Sequence, residues 1–393
     1  MHRRFARRVV ALGAFGLVAA TAVSGSSAVA APETTESVIY ATATHTDVTV
    51  YRQPLPQGTP EILFSYENPG TARGGHGIAA PELALAPDSR AVAYFARSGL
   101  RIRHLDTGAD EVVIGRTERS SGGQDDDVAP VWTIPELNAP DPKDQPSPHP
   151  AGMFGLHQIA FSPDGRLLSF AADWFEYTDH LVIEIATGRH WRTPGSLELA
   201  WSSSSDRVAV TASPDQSPGN LDVSGPADYG TFQRITPAPE PRPDVMTYVD
   251  AAFAPAGDRI AFIYSTEQGV PFTHLASSAL DGRGFEEIDS EGGKEALAWD
   301  HASGALYWVE RQGDFRYIGV QYRDARTGWA FPENLTSVED MWVTTGGHLV
   351  LVGRTALDAD GGFMQRLAVI GRDGHQLTET PPFGWDSRFI GVV

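Results

Sequence analysis

Ile159-Ala-Phe-Ser-Pro-Asp-Gly-Arg-Leu-Leu-Ser-Phe170 is a short apolar run, a tight polar turn and a second apolar run. The same theme returns at Leu83–Phe95, Leu199–Val210, Ala252–Phe262, Ala296–Trp308 and Met341–Val352. Ser162-Pro163-Asp164-Gly165 puts proline and glycine where a type I turn followed by a left-handed residue needs them. A hairpin recurring every ~40–50 residues marks a β-propeller, an all-β ring of four-stranded blades.

Each unit continues past its hairpin. Leu100–Gly108 with Glu111–Ile114, and His180–Gly188 with His190–Thr193, read as a second strand pair joined by a tight turn. A blade is therefore strand a, turn, strand b, variable loop, strand c, turn, strand d. The strands are almost continuously apolar, as expected of sheets covered on both faces by neighbouring blades. Six hairpins supply blades 2 to 7. Ser37–Thr42, Asp47–Tyr51 and Glu61–Phe64 supply three strands of another blade, and Arg388–Val393 reads as its missing innermost strand. Such closure removes the two open sheet edges that would otherwise invite aggregation. The count is seven blades, with six and eight as alternatives.

The Phe161–Phe170 hairpin resembles the WD40-like repeats of the TolB propeller family, and is similar to the propeller of prolyl oligopeptidase relatives. The resemblance spans about residues 80–355. Blades 4, 6 and 7 lack the Pro-Asp-Gly core, and blade 5 keeps only its proline and glycine. It implies architecture, and a partner among envelope proteins or peptides. No partner-binding residue of that family is matched by a motif here, and the hydrolase activity of the oligopeptidase relatives is not implied.

The N-terminus reads as an export signal. Arg3, Arg4, Arg7 and Arg8 precede an apolar Val9–Val23 run, and Ala28-Val29-Ala30 fits a small-x-small cleavage site. The expected mature chain is residues 31–393, secreted or in the cell envelope, with an uncleaved anchor as the alternative. Cleavage would move the formal net charge from −20 to −24 by removing four arginines. A surface so acidic repels nucleic acid and anionic lipid. The chain has no cysteine, which excludes disulfides, thiolate metal sites and lipidation at a cysteine.

No linear motif identifies a reaction. There is no G-x-S-x-G motif in the expected mature chain and no P-loop. The histidines are scattered, Asp125-Asp126-Asp127 has no second ligand set, and Asp358-Ala-Asp-Gly-Gly362 lacks the later bidentate glutamate of a calcium loop. No metal and no cofactor are expected. Topology is more informative. The b–c loops and d–a connections share one face, and there the chain carries its insertions: 117–154, 173–180, 214–229 and 236–247. Long loops on a rigid frame are where binding sites sit. The 117–154 stretch either docks over the channel mouth or is a solvated decoration. The densest candidate is Asp173-Trp174-Phe175-Glu176-Tyr177-Thr178-Asp179-His180, with Trp132 of the 117–154 stretch as a further candidate; the alternative is that Trp174 and Phe175 merely cap the propeller rim. Its aromatics offer stacking area and its carboxylates accept hydrogen bonds. Glu176 and Asp179 could in principle form a carboxylate pair for glycoside cleavage, though two acids in one loop are common. The reading is a monomeric, non-enzymatic propeller that binds a protein, peptide or cell-envelope ligand. A hydrolase or lyase drawing residues from several blades is the alternative.

Overall fold

A computed structural model describes residues 37–44, 46–54, 58–69, 82–118, 130–134, 155–173, 178–193, 196–212, 221–224, 233–235, 247–265, 273–323, 325–344, 346–355, 365–379 and 387–392. They form seven antiparallel sheets, one per blade, and include no helix. Blade 3 shows the plan: strand a is Gly155–Phe161, b Leu167–Asp173, c Thr178–Glu184 and d His190–Thr193. Blade 1 joins the two ends of the ring. Ser387–Val392 is its innermost strand and pairs with Ser37–Ala43, Val38 lying opposite Val392 and Thr42 opposite Ser387. The expected seven blades and split closure are both present.

The repeated turn works as its residues dictate. The Ser162 hydroxyl donates to Asp164 at 2.7 Å and accepts from the Leu167 backbone N–H at 2.9 Å. Gly165 adopts a left-handed φ of 72°, and Gly257 repeats it at 70°. Ser89 and Ser205 hold the same position without glycine's freedom, at 61° and 58°. Ser205 gains from it, because its hydroxyl accepts the Asp164 N–H of the preceding blade at 2.9 Å. The next turn repeats the stitch, with the Ser203 hydroxyl donating to the Pro255 carbonyl at 2.9 Å.

The core lies between blades, not along the axis. Strand b is buried on both faces, as in Ala91–Ala96 and Arg259–Ser265, so each blade packs against both neighbours. Phe95, Leu168 and Phe170 fill the seam of blades 2 and 3, with Phe95 and Phe170 edge to face at 5.5 Å. Blades 5 to 7 share one large cluster around Trp308, and Val38, Val350 and Val369 join blade 7 to blade 1. The seam of blades 3 and 4 is built on Leu167, Val182 and Val208.

Three expected loops are shorter than their sequence suggests. Strand b of blade 3 runs on to Asp173 and strand c starts at Thr178, so their connection is residues 174–177. Leu221–Ser224 forms strand c of blade 4 inside the stretch read as loop 214–229. Pro130–Trp132, within 117–154, adds a fifth strand to the outer edge of blade 2. Gly115 makes room for it: a Cβ there would meet the Thr133 methyl at 2.8 Å. The Gly115 N–H donates to the Thr133 hydroxyl at 3.0 Å and the Thr133 N–H to the Gly115 carbonyl at 2.9 Å.

The innermost strands carry a second device. In blades 1, 3, 4, 5 and 6 the pairing of strands a and b slips by one residue. A bulge turns backbone groups away from their own sheet. Acids stand at the equivalent position in blades 2, 4, 5 and 7, at Glu82, Glu198, Asp250 and Asp340, with or without a bulge in the same blade. Glu82 accepts the Gln158 N–H of the next blade at 3.0 Å, and Asp250 accepts the Leu297 N–H of the next blade at 3.1 Å. Where the accepting carboxyl is ionised, such a bond contributes about 1.5–3 kcal/mol.

Deleting Arg388–Val393 should lower the melting temperature and promote aggregation, because Ser37–Ala43 loses its inner partner. Thermal unfolding followed by light scattering checks this, and parent-like melting would refute ring closure by these residues.

Burial pushes the Asp250 carboxyl up to about 7 from its ordinary 3.8, against the hydrogen bonds from Leu297 and Ala251, and the charge of Asp340 adds to the rise. The native chain thus holds this proton more tightly than the unfolded chain. The contribution of Asp250 is full below its unfolded pKa and is lost as pH rises through about 7. Asp250→Asn removes one acceptor at every pH but also removes the titration. Its urea midpoint relative to the parent should therefore rise between about pH 5 and about pH 8. Parallel pH profiles would show that Asp250 ionises normally.

Candidate functional site

The loop end of blade 3 gathers polar groups that its sheet register brings into line. His157 in strand a and His180 in strand c both stand opposite Ala171 in strand b, and Thr178 stands opposite Asp173. The small Ala171 leaves space between the two imidazoles. Alternation puts Asp173, Ala171 and Ser169 on one face, turned toward blade 4, where the Trp201 indole N–H donates to the Ser169 hydroxyl at 3.2 Å.

His157 Nε2 lies 2.8 Å from Asp173 Oδ1, and the Thr178 hydroxyl donates to the same oxygen at 2.7 Å. Burial would raise the Asp173 carboxyl, but the hydrogen bonds from His157 and Thr178 and the nearby imidazole charge outweigh it and hold it below the ordinary carboxylate range. His180 is fully buried, and its Nε2 lies 3.0 Å from Gln158 Oε1. Burial, helped by His157, depresses His180 to about 3, so it stays neutral in ordinary buffers. Gln158 takes a left-handed φ of 54° at the bulge. That turn sends its N–H to Glu82 and its side chain to His180.

His157 and Asp173 remain partly open, their side chains 24% and 40% exposed. An aspartate-held imidazole at a loop rim can accept or donate hydrogen bonds to a polar ligand. The Thr178 hydroxyl is committed to Asp173, so within this cluster it serves positioning rather than attack.

Of the residues singled out from sequence, Asp173 and His180 come together here. Asp179 points to the other face, fully buried, where Arg192 reaches its Oδ2 with Nε at 2.6 Å and Nη2 at 2.5 Å. Trp132 is 3% exposed in the seam of blades 2 and 3, edge to face with Phe95 at 6.4 Å and under the Arg116 guanidinium at 5.3 Å. Trp174, Phe175, Glu176 and Tyr177 lie outside the described residues. Among the described residues, no group of three or more His, Asp or Glu is placed to hold a metal ion.

A second polar cluster, between blades 5 and 6, escaped the sequence reading. Lys294 is wholly buried, its Nζ 3.1 Å from the buried Glu310 and 3.4 Å from Asp289, with the Glu291 carbonyl as a third acceptor. Arg326 pairs with the other Asp289 oxygen and lies over the Trp308 indole at 5.0 Å. Desolvation lowers the Lys294 pKa, opposed by its hydrogen bond to Glu310. The signal available in the sequence was composition: Lys294 is one of only two lysines in the chain, the other being Lys143. Three acceptors arranged round one point suit an ammonium, not a planar guanidinium.

No family model matches this chain, and no curated protein matches it. Solved structures share its architecture. TolB from Acinetobacter baumannii aligns over 88% of this chain and 81% of its own, at 14% identity and a TM-score of 0.44. The β-propeller domain of the Trilobed protease from Pyrococcus furiosus aligns over 86% and 93%, at 12% identity and 0.50. An oligogalacturonate lyase in complex with manganese aligns over 83% and 84%, at 11% identity and 0.53. The chain is a seven-bladed β-propeller. The Pyrococcus furiosus domain is described as an open velcro topology. This propeller instead pairs its first and last strands.

Lys294→Met should destabilise the propeller by about 3 kcal/mol or more, because Glu310 and Asp289 are left as buried, under-compensated charges. Chemical denaturation checks it, and a change under about 0.5 kcal/mol would mean that water replaces the ammonium.

Proposed function

We propose that this protein is an exported, monomeric binding propeller that takes a protein, peptide or cell-envelope ligand on its b–c/d–a face. The observation that carries this reading is one-sidedness. The a–b turns are short and stitched to one another, as between Asp164 and Ser205. The longest connections, from Glu118 to Gly155, Glu67 to Leu83, Ile235 to Thr247, Arg354 to Gln365 and Ala330 to Asp340, followed by Ala212 to Leu221 and Ser265 to His274, leave from the other end of the blades. Blade 4 adds one longer connection on the turn side, from Ser224 to Gln233.

His157 and Asp173 stand at the edge of the elaborated face, partly exposed and already oriented, so a ligand meets them without a reordering cost. An aspartate-held imidazole whose neighbouring hydroxyl is already committed supports binding over hydrolysis. The acidic composition supports a neutral or cationic partner. Export rests on the arginine-rich start, the Val9–Val23 run and the Ala28-Val29-Ala30 site.

Binding should fail on the elaborated face and survive on the other. The mature chain is immobilised, exposed to the envelope fraction of the producing organism, and compared with Trp174→Ala/Tyr177→Ala and with Asp281→Ala in a c–d turn. A component retained by the parent and by Asp281→Ala, and bound about tenfold or more weakly by the double variant, supports the reading. Equal retention by the double variant, or loss only at Asp281, would place binding elsewhere.

A further inference from the structure

Blade 1 leaves its outer edge open. Its outermost strand, Glu61–Glu67, is seven residues long, and among the described residues no strand pairs with its outer side. Elsewhere the outer edges are defended. The outer strands of blades 3, 4, 5 and 7 span only three or four residues. Arg326 ties that of blade 6 to Ile288 and Asp289 of blade 5, and Pro130–Trp132 covers the end of that of blade 2. Short, charged or covered edges resist pairing with foreign strands. Blade 1 instead presents Ile62-Leu-Phe-Ser-Tyr66, uncharged and rich in strand-forming residues, with Ile62 61% exposed.

Register fixes where its backbone groups point. The Asn68 N–H donates inward to the Thr46 carbonyl at 2.7 Å, so alternation turns the N–H and C=O groups of Glu67 and Ser65 outward. Blade 2 shows what such groups can hold. There the outward Gly115 carbonyl accepts the Thr133 N–H at 2.9 Å beside the added strand Pro130–Trp132. Trp132 of that strand turns into the seam with the next blade, under the Arg116 guanidinium.

The corresponding seam of blade 1 is open. A cleft of about 470 Å³ lies between Tyr66 and the b–c hairpin of blade 2, lined by Tyr94, Ala96, Arg97, Ser98 and Arg101. Its charges are paired among themselves. Glu67 holds Arg97 at 2.9 Å, and Asp110 accepts the Tyr94 hydroxyl at 2.9 Å with Arg103 at 3.3 Å and Arg101 at 3.7 Å. What the cleft offers a ligand is therefore ring and guanidinium surface, which suits a neutral aromatic side chain. A residue placed opposite Tyr66 by an added strand would share its face of the sheet and point into this cleft.

We propose that the outer edge of blade 1 takes up an extended peptide segment as a fifth strand, with an aromatic side chain of that segment in the cleft between blades 1 and 2. Main-chain hydrogen bonds to Ser65 and Glu67 hold the strand, and the cleft selects the side chain. The arrangement is the one that Pro130–Trp132 makes on blade 2 from within the chain. This edge lies on the outer rim, apart from His157 and Asp173, and the proposal holds whether or not that site binds a partner.

The test titrates acetyl-Lys-Thr-Val-Trp-Thr-Val-Lys-amide calorimetrically into the full propeller at physiological salt. Two further probes carry N-methyl groups on alternate residues, one probe for each phase, because a paired strand turns only one phase toward the edge. Ser65→Pro removes an outward N–H that the sheet does not use, a position where edge strands accept proline. Ser65→Ala keeps that N–H and loses only the hydroxyl bond to Thr49 at 3.1 Å. The expected result is saturable binding to the parent, to Ser65→Ala and to His157→Ala. Affinity should be at least about tenfold weaker in Ser65→Pro, for one N-methylated probe only, and for a probe with serine in place of tryptophan. Circular dichroism confirms that each variant is folded, and the methylated probes decide the question if Ser65→Pro does not fold. Absent saturable binding, equal affinity in a folded Ser65→Pro, equal effects of the two methylation phases, or an unweakened serine probe overturns the proposal. Loss in His157→Ala would place the peptide at blade 3 and overturn it too. Dimerisation of the parent that Ser65→Pro abolishes, without peptide binding, would give the edge to a second copy and overturn it as well.

Discussion

Seven sheets set radially meet most closely at their innermost strands, and whatever joins those strands holds the ring. Hydrophobic contact alone is non-directional. Here direction comes from backbone N–H groups that bulges turn out of their own sheets and that carboxylates of the preceding blade accept. Glu82 reaches the bulged Gln158 in this way, and Asp250 reaches Leu297 just past the bulge of blade 6. Indoles add a second tie, as Trp299 donates to the Ala252 carbonyl of the preceding blade at 3.2 Å. A bulge that would weaken an isolated sheet thus becomes the group by which one blade grips the next.

The same arrangement explains where charge is tolerated inside an all-β ring. A buried ion is costly unless its partners are fixed. Lys294 finds three acceptors, Asp179 finds Arg192, and His180 escapes the cost by staying neutral. The wholly buried members of these clusters lie near the loop ends of strands, where backbone irregularity lets several groups converge. The turn ends are simpler, built from the local hydroxyl and carboxylate bonds of Ser162 and Asp164.

The repeated hairpins were legible because their turn chemistry is local. Pro163, Asp164 and Gly165 act within a few residues, and strand closure by Arg388–Val393 followed from counting strands. The blade 3 cluster was half legible. Asp173 and His180 stood out as polar residues in a presumed loop, but His157 joins them only through sheet register. Gln158 gave no sign, since its left-handed backbone belongs to a bulge and its N–H partner, Glu82, lies in another blade. Trp132 looked like an aromatic spent in a loop, and its burial depends on an edge strand that Gly115 admits. The Lys294 cluster draws on strands of two blades, and no local pattern joins them.

Strand a runs from the elaborated face toward the turns, and strand b starts back from there. Since Val38 stands opposite Val392, both ends of the ring emerge on the turn side. A tether or fused domain attached at either end would hang beneath the propeller, and the face carrying His157, Asp173 and the long connections would look away from the attachment point. Capture on a surface through either end would present that face to solution, whereas attachment through the loop connections would bury it.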